Sequence, residues 1–270
     1  MIISIDKTHP IFKDREYVKD IVPFNFIEII KQSPMLLVSN EKDFIIAVSA
    51  PQKPVWVWTS EKISSDSLKE LCEFSHNEFG AEDSVRFVAK PGIADILVKT
   101  FIENNYMIQH RIRMESFENT NLIPAKNQDA VIERATAEDV YDIAVCMANF
   151  EKDCFGKDVS AKIFLDEAEG KPGNPWFFVI KENGIVAATA QSSRETQQSM
   201  AVNLVYTRPE SRGKGYASAL VAFISKRILE KGKTPVLYTD LSNPFSNKAY
   251  KNVGFIEKGR VDEVTLGRKE

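Results

Sequence analysis

Cysteine and histidine are both scarce in this chain of 270 residues, with three of each. Cys72, Cys146 and Cys154 are an odd number without metal-ligand spacing, and the histidines stand far apart at 9, 76 and 110. Neither a disulfide framework nor a metal site is expected. No histidine follows His110, so Cys154 reads as a plain thiol rather than a nucleophile. Long apolar runs are missing as well: no window approaches the ~18 uninterrupted apolar residues of a membrane span. The start, Met1-Ile2-Ile3-Ser4-Ile5-Asp6, lacks the basic segment and apolar stretch of a leader, so a cytoplasmic protein is expected. Excess charge of either sign is also absent. A formal net charge of -3 gives no electrostatic footprint for duplex nucleic acid. Nucleic acid and membrane are therefore not among the expected partners.

What is present suits a soluble globular protein. Hydrophobic residues make up 43% of the chain, enough to bury a sizeable core without staples, and the length accommodates two ordinary domains. In the second half, residues 131–134 read as a short strand, and Thr136 can cap a helix over 137–148 with apolar residues at 140, 143, 144 and 147. A second helix is predicted over 159–169, stopped by Gly170-Lys171-Pro172-Gly173. Strands at 176–181 and 185–193 turn on Asn183-Gly184, and another strand covers 200–207. Residues 215–231 carry a helical apolar face, ended by Gly232; then come a strand over 235–239, a helix over 243–252 and a strand from Phe255.

The first half repeats this order. An amphipathic run over 18–31 precedes strands at 35–39, 44–50 and 55–59. Helix 62–78, strand 85–90, helix 93–104 and strand 106–115 follow. Val55-Trp56-Val57-Trp58-Thr59 can be laid over Asn203-Leu204-Val205-Tyr206-Thr207, which points to an internal duplication. Trp56 and Trp58 share one sheet face, with Val55 and Val57 on the other, a pattern of core packing rather than ligand stacking. Asn, Thr, Pro, Lys, Gln and Asp replace apolar periodicity over 119–129, giving domains at 1–120 and 130–270.

The chemistry gathers after the strand at 200–207, in Arg208-Pro209-Glu210-Ser211-Arg212-Gly213-Lys214-Gly215-Tyr216-Ala217. Gly213 and Gly215 let the backbone turn tightly and approach a ligand, and Arg212 and Lys214 bring positive charge. The helix opening at Gly215 directs N–H groups of Gly215, Tyr216 and Ala217 at the same spot, suiting a phosphate or pyrophosphate. The corresponding place in the first half, Ser60-Glu61-Lys62-Ile63-Ser64-Ser65-Asp66-Ser67, has no glycine and two acids. It cannot hold a phosphate in the same manner.

Arg212-Gly213-Lys214-Gly215-Tyr216-Ala217 fits R-x-x-G-x-A and resembles the acyl-CoA signature of the GNAT N-acetyltransferase superfamily. Asn243-Pro244-Phe245-Ser246-Asn247-Lys248-Ala249-Tyr250-Lys251-Asn252-Val253-Gly254-Phe255 resembles the family's N-x-x-S/A-x-x-x-Y-x-x-x-G-F segment, in the expected order. The resemblance covers 131–266 strongly, and the first half only as a degenerate copy. It implies an α/β fold of the α+β kind, a mixed and mostly antiparallel sheet flanked by helices, in tandem GNAT-like domains of which the second is intact. It further implies an acyltransferase with acetyl-CoA as cosubstrate and an amine acceptor, without a metal, and leaves room for a homodimer. By the same resemblance the main chain of Val205, Tyr206 and Thr207 pairs with the pantetheine arm, Asn243 contacts that arm from the other side with Ser246 and Asn247 nearby, and Tyr250 is the general acid. Spacing alone leaves Tyr250 equally readable as an aromatic core residue.

Asp240, Glu167 and Glu169 are candidates for a general base, although each also reads as a solvated surface acid. Two other functions compete: a noncatalytic acyl-CoA sensor or scaffold, and nucleotide binding. The second is weakened because Gly213-x-Gly215-x-x-Ser218 misses the last glycine of the dinucleotide fingerprint. Nothing in the sequence selects among polyamine, amino acid, aminoglycoside and peptide acceptors.

Overall fold

Pro23 splits the amphipathic run of the N-terminal region, because it supplies no N–H and cannot continue a helix from the preceding turn. In a computed structural model, which describes residues 1–269, β1 (Ile3–Ser4) is therefore followed by two short helices, α1 (Arg15–Lys19) and α2 (Asn25–Ile30), rather than one. β2 (Leu36–Ser39), β3 (Phe44–Val48) and β4 (Val55–Thr59) pair antiparallel in chain order. α3 (Ser65–Phe79) starts where the Ser64 hydroxyl accepts the Ser67 N–H at 3.1 Å. It carries the chain back so that β5 (Ser84–Ala89) lies parallel to β4. α4 (Pro91–Ile102), opened by proline at its first position, leads to β6 (Tyr106–Glu118). Val57, Leu71, Phe87, Leu97 and Phe101 belong to the core between sheet and helices. On the other face Trp56 stacks on Phe26 at 4.7 Å and Trp58 meets Tyr17 edge-on at 5.3 Å, so both tryptophans are core residues.

The second half repeats the connectivity. β7 (Glu133–Arg134) and a 3-10 turn over Ala137–Asp139 precede α5 (Val140–Phe155), with the Thr136 N–H donating to the Asp139 carboxylate at 2.8 Å. The helix predicted over 159–169 is a 3-10 turn, Ala161–Phe164, followed by one short helix, α6 (Leu165–Glu169), since Ser160 caps late and Gly170 and Pro172 stop it early. β8 (Phe177–Glu182), β9 (Ile185–Ser193) and β10 (Ser199–Thr207) are antiparallel neighbours. α7 (Tyr216–Glu230) returns the chain so that β11 (Thr234–Asp240) runs parallel to β10. α8 (Pro244–Lys251) and β12 (Ile256–Arg268) end the chain.

Two compact units result. One comprises Met1–Ser116, Asp240–Ser242 and the C-terminal segment from Lys258, and its strand order is β1-β2-β3-β4-β5-β12-β6. The other comprises Phe117–Thr239 with Asn243–Glu257, and its order is β7-β8-β9-β10-β11. The sequence reading places everything from 130 onward in one domain, whereas most of β12 lies in the first unit, antiparallel to β5 from Asp262↔Ala89 to Gly267↔Ser84. Charge anchors it there. Arg111 binds both Asp262 and Asp95, and Arg260 Nε lies 2.9 Å from Glu115 Oε2. Asp262 and Glu115 are buried, and each has a guanidinium to offset its desolvation. No helix among the described residues is long and apolar enough to cross a membrane.

Candidate functional site

β10 does not run evenly. Its register against β9 shifts between Asn203 and Tyr206, and Leu204 takes a left-handed φ of 47° there. The Leu204 carbonyl is held by the Thr189 hydroxyl at 3.1 Å. On its other side β10 pairs with β11 only from Ser199↔Thr234 to Ala201↔Val236, although both strands continue. The two therefore part beyond Ala201 and leave a cleft edged by main chain from Asn203 to Thr207. Val205, Tyr206 and Thr207 all lie on that edge. Tyr206 is buried beside Asp153, and burial first, with that acid second, pushes its phenol up to about 12.

The loop beyond β10 is exposed from Arg212 to Gly215. Gly213 and Gly215 both have φ of 81°, a conformation that favours glycine. Gly215 is the N-cap of α7, where no capping side chain bonds the first turn and no acid stands in it. The N–H groups of Tyr216 and Ala217 thus face outward at the positive end of the helix dipole, a geometry suited to an anion. The loop's side-chain charges are directed elsewhere. Arg212 meets Asp153 at 2.5 Å and donates to the Thr207 carbonyl at 3.2 Å. Lys214 Nζ lies 2.6 Å from Glu182, whose carboxylate also accepts the hydroxyls of Tyr216 at 2.6 Å and Ser211 at 2.8 Å. Lys214, Tyr216 and Ser211 together hold the Glu182 carboxyl near 2.

Asn243 caps α8, its side-chain oxygen accepting the Ser246 N–H at 3.1 Å. One turn on, Ser246 hydrogen-bonds the Tyr250 phenol, with Asn247 beside it on the same helix. Tyr250 is 7% exposed, its ring centroid 6.2 Å from that of Phe255, and burial drives its pKa upward with Cys154 nearby. The phenol therefore stays protonated through the neutral range. It is both a core residue and a protonated acid, so the two sequence readings of Tyr250 do not exclude each other.

Known structures share this architecture. A GCN5-related N-acetyltransferase from Kribbella flavida is 18% identical over 95% of this chain and 97% of its own, with a TM-score of 0.59. A GNAT-family acetyltransferase from Colwellia psychrerythraea is 12% identical over the full length of both, with a TM-score of 0.57. The fold is that of a GNAT acetyltransferase. A Drosophila protein of known structure is 11% identical over 98% of each chain, with a TM-score of 0.68. Residues 182–263, which span the loop and α8, match the family described as FR47-like protein. No curated protein matches the sequence significantly.

The first unit repeats the strand order of the second without the cleft. β4 keeps an even register against β3, pairs with β5 from Val55↔Phe87 to Val57↔Ala89, and ends two residues later. There Lys90 Nζ donates to the Thr59 carbonyl at 2.7 Å and pairs with Asp20 at 2.6 Å. Asp20 also accepts the Trp58 indole N–H at 3.0 Å. The Ser64 cap and Asp66 occupy the head of α3, whereas the glycine loop of the second unit leaves the head of α7 uncapped.

Other candidates have partners of their own. Glu167 is spent on Lys171 at 2.8 Å, and the Asp240 carboxylate accepts the Ser242 N–H at 2.7 Å. Cys146 is buried and its thiol is pushed up to about 11 by desolvation. No cluster of His, Cys, Asp or Glu able to hold a metal occurs among the described residues. Sequence reasoning missed Asn127, Asp153 and Glu182. Asn127 Nδ2 donates to the Lys214 carbonyl at 2.8 Å and bears on the loop from a segment that reads as linker. Only contact across the fold reveals all three.

Proposed function

We propose that this protein is an N-acetyltransferase that moves the acetyl group of acetyl-CoA to a primary amine by direct attack in a ternary complex. The observation that carries the reading is the parting of β10 and β11 beside an uncapped helix start reached through two left-handed glycines. The loop would hold the pyrophosphate through backbone N–H groups of Gly215, Tyr216 and Ala217, with Arg212 and Lys214 exchanging their carboxylates for the phosphates. The main chain of Val205, Tyr206 and Thr207 on the side away from β9 would bond the pantetheine arm as an added strand, with Arg212 releasing the Thr207 carbonyl. An N–H on that edge would face the thioester oxygen as charge develops there. Asn243 keeps its amide N–H₂ for the arm while its oxygen caps α8, and Ser246 and Asn247 line the same turn.

The neutral amine attacks the carbonyl carbon, the tetrahedral intermediate collapses with loss of the thiolate, and the Tyr250 phenol supplies the thiol proton. Ser246 orients that phenol, and its raised pKa keeps the proton in place. Water carries away the proton released by the amine. Calorimetry with CoA and a thiol-release assay over a panel of amines test the reading, and failure of every CoA species to bind would sink it. Tight CoA binding without turnover on any amine would favour the sensor reading instead.

A further inference from the structure

One side chain ties the end of β10 to the glycine loop that follows it. The Arg208 N–H donates to the Ala187 carbonyl at 2.9 Å, and Tyr206 and Thr207 lie opposite Thr189 and Ala188. Backbone groups of an antiparallel strand turn to alternate sides, so the N–H and C=O of Thr207 point away from β9, on the edge that borders the cleft. That edge is occupied at its end. Arg212 Nε donates to the Thr207 carbonyl at 3.2 Å, folding the loop back onto a residue five positions earlier.

Two further contacts keep the guanidinium there. Its Nη2 lies 2.5 Å from the Asp153 carboxylate, near the end of α5, and its carbon stands 5.9 Å from the centre of the Tyr206 ring. The side chain is thus drawn back along β10 instead of reaching over Gly213 and Gly215, and it is half exposed, open to an incoming anion. Nε and Nη2 form one edge of the planar fork, an edge suited to a two-handed grip on phosphate oxygens. Turning that edge to an anion takes it from Thr207 and Asp153 together. Lys214 is placed differently: its partner Glu182 is also bound by the Ser211 and Tyr216 hydroxyls, and none of these contacts involves the main chain of β10.

We infer that Arg212 couples the two ends of the acyl donor: a diphosphate on the loop draws the guanidinium off the Thr207 carbonyl, and this opens the full strand edge to a pantetheine arm. The inference rests on the acetyltransferase reading and adds to it a selection for acyl groups carried on CoA over those on a bare pantetheine arm. The coupling is reciprocal by linkage, so pantetheine tightens diphosphate binding by the same factor.

Calorimetry with pantetheine, with inorganic pyrophosphate, and with each in the presence of the other measures that factor without an acceptor. In the wild type, pantetheine should bind about three- to tenfold more tightly when pyrophosphate is saturating, the worth of one hydrogen bond. R212M should bind pantetheine at the tightened level with no pyrophosphate present, bring the factor to about one and weaken CoA, with thermal melting confirming that the variant is folded. E182Q, which frees the other cation of the loop, should tighten pyrophosphate and leave the factor unchanged. A wild-type factor of one or less overturns the coupling, as does a pantetheine that fails to bind even with pyrophosphate saturating. Survival of the factor in R212M, or its loss in E182Q, takes the coupling from Arg212. In each of these cases CoA binding in the same titrations leaves the acetyltransferase reading intact, whereas failure of CoA itself to bind removes that reading.

Discussion

Lys214 Nζ lies 2.6 Å from Glu182 Oε1, so the lysine that the glycine loop offers to an anion already has one. Bound pyrophosphate and Glu182 would compete for the same ammonium. Glu182→Gln removes the competitor and should tighten CoA binding about two- to fivefold, the range of an exposed ion pair, as read by calorimetry. Acid unfolding gives a second readout. The Glu182 carboxyl is depressed from 4.5 to about 2, so its contribution to stability is fully present above 4.5 and is lost as pH falls toward 2. Thermal melts at pH 7, 4 and 2.5 should show the wild type losing its advantage over E182Q across that window.

Tyr250→Phe keeps the ring against Phe255 and removes only the hydroxyl bound to Ser246. Turnover should fall by about 100-fold or more while the CoA dissociation constant moves less than twofold. Because burial raises the phenol's pKa, the wild-type rate should show no decline from Tyr250 ionisation up to pH 10. An unchanged rate in Y250F would take the acid role from this residue.

Gly215→Ala asks an L side chain to adopt a φ of 81° with its Cβ 3.2 Å from Asn127 Cβ. Denaturant unfolding should register a loss of about 1 to 3 kcal/mol. CoA affinity should drop with it, because the same residue sets the direction of the first N–H groups of α7. Gly213→Ala has the same backbone strain and meets no neighbour within 4 Å, so comparison of the two separates conformation from crowding.

Lys90→Met tests the contrast between the units. It strands the mostly buried Asp20 carboxylate, leaving it the Trp58 indole alone among the bonds described above, and should cost about 1 to 3 kcal/mol in chemical unfolding. CoA binding should not change. A loss of CoA affinity in a well-folded K90M would show that the first unit takes part in donor binding.

Much of the architecture was legible in short stretches of sequence. Alternation in Val55-Trp56-Val57-Trp58 set which face each residue occupies, and Thr136, Asn183-Gly184 and Gly232 marked real turns or helix ends. Boundaries slipped where local signals conflict, as at Pro23 and over 159–169, because a short helix is held by tertiary packing more than by propensity.

The sequence by itself determined the glycine loop, the order of elements and the absence of a matching loop in the first half, because backbone conformation and periodicity are local properties. Tertiary structure decided the rest. Glu182 and Asp153 reach Lys214 and Arg212 from 32 and 59 residues away, and β12 finds β5 across a far longer separation. β10 parts from β11 beyond Ala201 and carries a bulge at Leu204, neither of which is written in a residue type. Charge pairing and strand pairing are choices among distant partners. Alternation says that a segment is a strand, and an acid says that it wants a cation, but only the folded chain supplies the one that is near enough.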